Sequence, residues 1–439
     1  MDAYPAKVPR DMCLSDARQS FAEYSKKNKT ISVVGRVIAI RGQGAILFVV
    51  LDDGKDRLQA VFKRDAMDPK LFKLFTDTAD IGDFVSLTGN FFTTEKGEES
   101  ILISSWTMAS KSLLPLPEKW HGITDGDERY RKRYLDMLMT PELRDIFKKK
   151  AKFWDVTRDF LKKEGFLEVE TPTLELAVGG AEAQPFKTHH NDFDMDVYLR
   201  ISVGELWQKR LLSGGFQKTF EIGRCYRNEG SSQEHLQEFT NMEFYWAYAD
   251  YRDGMKLVRE LYRTIAREVF GKTKFSTRGH TFDLAEEWKE IKYAEEVKKQ
   301  TGLDIEKAKD GEIKKKLDSL KVKYEGQNRE RLMDALWKHC RKNISGPAFL
   351  IDHPLLVAPL AKSVRGRDVV EMFQPIIAGS EAGRGYSELN DPVDQRRRFE
   401  AQQKLTDAGD KEAMMADYEF VEMLEHGMPP ACGFGFGER

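Results

Sequence analysis

The sequence is poor in cysteine, and the four it has stand far apart. Cys13, Cys225, Cys340 and Cys432 form no CxxC pair. That excludes a zinc-ribbon site and a disulfide framework, and fits thiols kept reduced in a cytoplasm. No apolar run approaches the roughly 20 residues that cross a bilayer, and the opening MDAYPAKVPRDM lacks the apolar centre of a secretory signal. A cytoplasmic protein without a membrane partner is therefore expected. Charge of neither sign dominates: 70 Lys and Arg face 72 Asp and Glu, a formal net charge of −2, so any nucleic-acid surface must be local. No GK[ST] follows a glycine-rich loop, and no glycine run sits at an early strand-to-helix turn, which excludes Walker and Rossmann nucleotide sites. What remains is a 439-residue chain, 41% hydrophobic and 32% charged, long enough for two or three globular domains.

Two apolar runs joined by a charged loop stand out in FEIGRCYRNEGSSQEHLQEFTNMEFY, residues 220–245. Phe220-Glu221-Ile222 reads as a strand leaving a buried sheet and Phe239 to Tyr248 as its return, an antiparallel hairpin. The loop is too long for a two-residue turn, and a long loop on a rigid hairpin commonly carries function. Arg227 on the outgoing strand can grip a carboxylate or phosphate through two N–H groups. Glu229, two residues on, faces the same side by the strand period. Phe239 offers a flat face to a base, and His235 a donor to a phosphate. Taken alone, Arg227 and Glu229 fit a surface salt bridge on an ordinary hairpin better.

The rest of the chain divides by pattern. Residues 1–29 read as a helical extension ending in Lys26, Lys27 and Lys29, either a solvated face or an RNA contact. Residues 30–111 turn to strands, with a helical stretch from Asp68 to Thr78 between the third and fourth. Five such strands predict an OB-fold barrel, which stacks single-stranded bases on aromatics. Arg41, Phe48 and Gln59 are its candidate contacts, although a strand Phe also suits a core. Residues 112–128 read as a linker. A long amphipathic helix follows from Pro141 to Glu164, then the strand FLEVETP. Gly179-Gly180-Ala181 lets backbone approach a ligand closely. His189 and His190 are strand neighbours facing opposite ways, which argues against one shared metal ion. Residues 250–345 read as mostly helical, charged and peripheral, without chemistry. Strands return from Pro347, two helices follow, and the chain closes on CGFGFGER.

Taken whole, Tyr226-Arg227-Asn228-Glu229-Gly230, followed by an acidic residue, Phe and Thr and then Met242-Glu243-Phe244-Tyr245, resembles motif 2 of class II aminoacyl-tRNA synthetases. The strand ending at Pro172 resembles motif 1, the dimer-forming element. The G-x-G-x-G-x-R spacing from Gly433 to Arg439 resembles motif 3, whose glycines make room for ATP and which in the family continues into a helix. This order behind an N-terminal barrel is similar to the aspartyl, asparaginyl and lysyl subgroup. GGAEAQPFKTHHNDFDMDVYLRIS, RYRKRYLDM and YSELNDPVDQRRRFEAQ with the AGD after it resemble lysyl-tRNA synthetases. The similarity runs from about residue 30 to the end and is weakest over 270–345.

The resemblance implies an α+β fold: an OB-fold β-barrel over 30–111, a linker, and a class II catalytic domain over 129–439. The latter would carry a mainly antiparallel sheet flanked by helices and a helical insertion around 270–345. It implies lysine activation by ATP and transfer to tRNA. Glu243, Tyr245, Tyr386 and Glu388 would surround the substrate lysine, with Glu205 and the Gly180 carbonyl on its α-ammonium; paired carboxylates are what an ammonium leaving water requires. In aspartyl relatives an Arg takes the place of Glu388. Arg227 would bridge carboxylate and α-phosphate, Phe239 stack on adenine with Glu229 at its amino edge, and His235 and Arg439 meet outer phosphates. Mg²⁺ would be held through Glu381, with Gln374 standing where a second carboxylate is usual. Phe48 and Gln59 fall at the family's base-stacking Phe and base-reading Gln. Asn241 replaces a usual Met, Arg384 a usual Asn, and Gly204 is an extra residue before Glu205. A homodimer through Pro141 to Pro172 is expected. A ligase that lysylates a protein, and a non-catalytic tRNA-binding relative, remain as alternatives.

Overall fold

The computed structural model describes residues 1–439 except 43, 118–122, 181–182, 233–234, 325–327, 408–413 and 439. It separates into two compact units, Met1–Lys148 and Lys149–Arg439. Among the described residues, no helix is long and apolar enough to cross a membrane.

In the first unit five strands close a barrel: β1 (Thr30–Arg41), β2 (Ile46–Asp52), β3 (Arg57–Lys63), β4 (Phe84–Thr93) and β5 (Glu99–Ser110). Their order is β1-β2-β3-β5-β4, with only β3 and β5 parallel. Strand alternation builds the interior: Leu47, Val49 and Leu51 of β2 are buried while residues between them face outward. The helix Pro69–Thr78 lies between β3 and β4, as its sequence suggests. Asp68 caps it by accepting from the Lys70 and Leu71 amides, and Pro69 begins it. Its Phe75 stacks on Phe62 of β3 at 4.0 Å. The N-terminal extension is not one helix. Leu14–Gln19 and Phe21–Lys26 are separate short helices broken at Ser20, and Leu14, Ala17 and Phe21 join the barrel core. Of the expected linker, 118–122 lie outside the described residues, and Gly126–Arg131 is already helical.

The second unit is built on a mostly antiparallel sheet. Its strands are β6 (Leu167–Glu168), β10 (Lys218–Tyr226), β11 (Glu238–Ala247), β14 (Lys289–Lys292), β15 (Ala348–Pro354), β16 (Val369–Ile377), β17 (Ser380–Glu381), β18 (Arg384–Ser387) and β19 (Ala431–Gly437). A small sheet holds β7 (Leu174–Glu175), β8 (Lys187–His190) and β9 (Met195–Leu199), and β12 (Lys274–Thr277) pairs with β13 (His280–Asp283). Among the described residues the large sheet runs β14-β15-β16-β18-β19-β11-β10-β6, with β17 on β16. Only β6 on β10 and β14 on β15 are parallel. The strand expected before Pro172 is thus only two residues long, at the sheet edge. The helix Glu142–Lys163 precedes it and buries Trp154, Val156 and Leu161. The helix Tyr251–Phe270, opened by an Asp250–Asp253 capping box and closed by left-handed Gly271, packs Val258, Leu261 and Ile265 into the core with Phe244, Phe434 and Phe373.

Residues 250–345 are less purely helical than their pattern suggests. They contribute the β12–β13 hairpin and the edge strand β14 before the helices Tyr293–Thr301, Asp310–Ser319 and Arg329–Arg341 gather a core of their own. The last helix is Tyr418–His426, capped by Asp417.

Candidate active site

The hairpin forms one end of the site. β10 stops at Tyr226, so Arg227 and Glu229 lie beyond the strand pairing and the strand period does not put them on one side. The loop brings them together instead. The Arg227 amide donates to Gln237 O at 2.8 Å, and its Nε donates to Ile201 O at 3.2 Å. Gln237 Nε2 donates to Glu229 O at 2.7 Å, and Ser232 Oγ lies 2.7 Å from His235 Nδ1. The Arg227 guanidinium stands 5.3 Å from the centre of the Phe239 ring. Arg227, Glu229, His235, Phe239 and Glu438 line one cavity. Arg439 lies outside the described residues. Glu438 before it is held by Lys150 at 2.8 Å and by Trp154 Nε1 at 2.9 Å.

A second cluster sits deeper on the same sheet. Glu243 and Tyr245 are two residues apart on β11 and share a face. Tyr245 Oη donates to Glu243 Oε2 at 3.0 Å. Glu243 Oε1 accepts from the Val203 amide at 2.7 Å and from Asn241 Nδ2 at 2.8 Å. Glu205 begins the helix Glu205–Ser213, which Gly204 enters with φ 67°. A methyl group on Gly204 would collide with Thr171, so only glycine fits there. Tyr386 Oη donates to Glu205 Oε1. Gly180, at φ 91°, is pressed so closely to Glu205 that a methyl there would stand 2.9 Å from Oε2.

Glu388 is 1% exposed; its Oε2 pairs with Lys209 at 2.6 Å, while Oε1 has no hydrogen-bond partner among the described residues. The glycines of β19 make room first for these side chains. A methyl on Gly433 would stand 2.2 Å from Glu388 Oε1 and 2.6 Å from the Tyr245 ring, and one on Gly435 would meet Glu243. Burial with carboxylates crowded together pushes Glu243 up to about 7, the Val203 amide, Tyr245 and Arg227 opposing, and Glu388 up to about 8, Lys209 opposing.

Glu381 on β17 accepts from Trp337 Nε1 at 3.3 Å, and Arg341 Nε stands 3.9 Å from it. Gln374 Nε2 donates to Glu381 Oε2 at 3.4 Å, and its Oε1 lies 3.0 Å from His353 Nε2. Burial holds His353 down to about 3, so the ring is neutral. Gln374 thus turns its nitrogen, not its oxygen, toward Glu381. Arg384 on β18 is exposed. His189 pairs with Asp194 at 3.3 Å, and His190 lies against Phe193. Among the described residues no group of three or more His, Cys, Asp or Glu could hold a metal ion.

In the barrel, Arg41 pairs across the ladder with Phe48, and Gln59 lies diagonally beyond on β3, all three on the outer face. Phe48 is 37% exposed and not part of the core. Gln59 Nε2 donates to Ser100 Oγ at 2.9 Å.

A closed five-stranded barrel, and an antiparallel sheet carrying an Arg-bearing hairpin and a terminal glycine strand, define a synthetase of class II. Residues 125–439 match the family of class II tRNA synthetases (D, K and N), and residues 31–109 match the OB-fold nucleic acid binding domain. The chain belongs to the class II tRNA synthetase family of that D, K and N group. Among its relatives, the lysine–tRNA ligase of Thermotoga maritima is 42% identical over 442 residues, covering 100% of this chain and 88% of that protein. That of Moorella thermoacetica is 43% identical over 96% of this chain and 86% of its own length. That of Roseiflexus sp. strain RS-1 is 40% identical over 100% and 90%.

Several residues at this site escape the sequence patterns. Lys209 is buried between Glu205 and Glu388, and only its i,i+4 spacing from Glu205 signals a partner. Arg200 and Glu221 form a buried pair beneath the hairpin. Trp337 and Arg341 reach Glu381 from a stretch read as without chemistry, a contact that only tertiary folding creates.

Proposed function

We propose that this chain is a lysine–tRNA ligase, activating L-lysine with ATP to lysyl-adenylate and passing lysine to the 3′ end of its tRNA. Glu388 carries the proposal. A buried carboxylate oxygen without a partner, beside two further carboxylates, asks for a cationic substrate. Glu243, Tyr245 and Glu388 take the side-chain ammonium. Glu205, oriented by Tyr386, takes the α-ammonium together with the Gly180 carbonyl.

Arg227 bridges the lysine carboxylate and the α-phosphate as a carboxylate oxygen attacks phosphorus in line and pyrophosphate leaves. Phe239 stacks on adenine, Glu229 accepts from its amino group, and His235 and Arg439 meet the outer phosphates. A terminal ribose hydroxyl of the tRNA then attacks the carbonyl carbon of the mixed anhydride, and AMP leaves. No protein nucleophile is needed, because positioning and electrostatics supply the rate. Glu381 suits Mg²⁺ as a single carboxylate ligand beside phosphate oxygens, a donor set typical of that ion, whereas Gln374 as oriented offers it no oxygen. Such an ion would supply charge neutralisation at the phosphates.

The exposed Phe48 on the barrel's outer face, with Arg41 and Gln59, suits stacking on an anticodon base and favours tRNA over a protein acceptor. A homodimer in the cytoplasm belongs to the same proposal. β6 leaves the sheet edge open with Leu167 50% exposed, beside a groove whose lining mixes Phe166, Val169 and Ile222 with Arg158, Lys162, Glu168 and Glu170. Sedimentation at micromolar concentration is expected to give a dimer; a fully active monomer would exclude it. ATP–pyrophosphate exchange run with each amino acid tests the activity. Lysine alone should support exchange, and equal exchange with asparagine would refute the assignment.

A further inference from the structure

Among the described residues, Lys209 is a charged group of this pocket that the proposed chemistry leaves without a task. Its side chain is 1% exposed, with Nζ 2.8 Å from Glu205 Oε1 and 2.6 Å from Glu388 Oε2. The rings of Tyr245, Tyr386 and Phe420 stand 5.7, 5.6 and 5.8 Å from it. Burying an ammonium among carboxylates gives little stability beyond what an apolar side chain of the same volume would give. Its place between two carboxylates of the proposed substrate pocket points to a task beyond folding.

The pairing divides each glutamate. Glu205 gives Oε1 to Lys209 and keeps Oε2 against Gly180. Glu388 gives Oε2 to Lys209 and keeps Oε1, unpartnered, against Gly433 and Tyr245. Glu243 instead accepts from the Val203 amide, Asn241 and Tyr245. With all three carboxylates ionised, as bound ammonium groups favour, they and the Lys209 ammonium leave two negative charges, and free lysine carries two ammonium groups.

We infer that Lys209 is a positioning residue that sets amino-acid specificity. Its fixed cation orients Glu205 and Glu388 and cancels one pocket charge, so that only a substrate with both an α- and a side-chain ammonium leaves the pocket neutral. An amino acid with a neutral side chain would leave one buried carboxylate unpaired and is rejected for that reason. Burial works against the charge on Lys209, but Glu205 and Glu388 outweigh it and hold its pKa above the ordinary value. All of this stands only if lysine is the amino acid activated.

Exchange kinetics of the whole chain separate the two. Wild-type protein that fails to exchange with lysine disproves the substrate itself. Where wild type does exchange, Lys209→Met should raise the lysine KM about tenfold or more, the worth of about one pKa unit of lost pairing. The ATP KM should stay within about twofold, since the ATP cavity is lined by other residues. Lys209→Arg, which keeps the charge, should recover most of the loss. Lys209→Gln, polar but neutral, should behave as Lys209→Met and serves where the methionine variant does not fold. An unchanged lysine KM in either neutral variant, or lysine and ATP KM rising together, would overturn the inference. So would a fall in lysine KM, because that would mean the Lys209 ammonium occupies the substrate's own place.

Discussion

Arg200 and Glu221 meet beneath the hairpin, Nη1 to Oε1 at 2.6 Å, with side chains 5% and 6% exposed. Arg200 Nε also donates to Arg224 O at 2.8 Å, and Glu221 Oε2 accepts from the Thr171 amide and hydroxyl at 3.0 and 2.6 Å. The pair therefore ties the edge segment before Pro172 to the strand that leads into Arg227. Removing one partner strands a buried charge, which costs about 3–5 kcal/mol. Arg200→Met should lower stability by that amount in urea unfolding followed by tryptophan fluorescence. Replacing both, Arg200→Met with Glu221→Leu, should recover a good part of it. A single-variant loss below about 1 kcal/mol would show that the pair holds nothing.

Gly433 and Gly437 lie on the same strand but guard different neighbours. A methyl on Gly433 would enter Glu388 and Tyr245, whereas one on Gly437 would stand 3.0 Å from the Phe239 ring. Forcing atoms into such contacts costs about 1–3 kcal/mol. Gly433→Ala should raise the lysine KM with little change for ATP, and Gly437→Ala should do the reverse. Equal effects of the two variants on both substrates would mean the strand simply deforms as a unit.

How much of this was legible in sequence depends on range. Glu243 and Tyr245 share a face because of the strand period, which any reader of the sequence can apply. Asp68 with Pro69 announces a helix start, and that helix is found. Arg227 and Glu229 line one cavity, but not through the strand period, since the strand ends at Tyr226, three residues short of Glu229. The break at Ser20 has no glycine or proline to mark it, and packing of Leu14 and Phe21 on the barrel decides it. Lys209 showed its spacing from Glu205 but not its burial, because Glu388 arrives from 179 positions later in the chain. Trp337 and Arg341 at Glu381 belong to the same class of contact, made by tertiary folding and silent in local pattern.

The raised carboxyls fix a pH dependence. Without substrate, Glu243 and Glu388 titrate at about 7 and about 8. A bound ammonium favours their ionised forms, so lysine binding expels protons, and affinity grows as pH rises through this window. The lysine KM should fall from pH 6 to above 8 and then level. For folding the sign is opposite: between the ordinary 4.5 and about 8 the folded chain holds more protons than the unfolded one. These groups' contribution to stability is full below 4.5 and is lost as pH rises through 7 and 8. Lysine should therefore raise the melting temperature more at pH 8.5 than at pH 6. A lysine KM that stays flat or rises over pH 6–8 would contradict the assignment of both carboxyls to the substrate.

The barrel allows a test that separates recognition of tRNA from activation of lysine. Phe48 alternates with buried Leu47 and Val49 and turns outward, 37% exposed, with Arg41 opposite it and Gln59 on the next strand. An exposed aromatic between two polar neighbours matches a base-stacking platform, where one stacked base is worth about 1–3 kcal/mol. Phe48→Ala should leave the barrel folded, because the side chain lies outside the core, and should leave lysine-dependent exchange untouched. Charging of tRNA should fall by a factor of about five to 150, the same energy expressed as a rate ratio. Arg41→Ala should add salt-sensitive weakening, since a lost phosphate contact flattens the dependence of binding on ionic strength. If Phe48→Ala lowers exchange and charging alike, the ring supports the protein rather than the RNA, and the anticodon would have to be read from another face of the barrel.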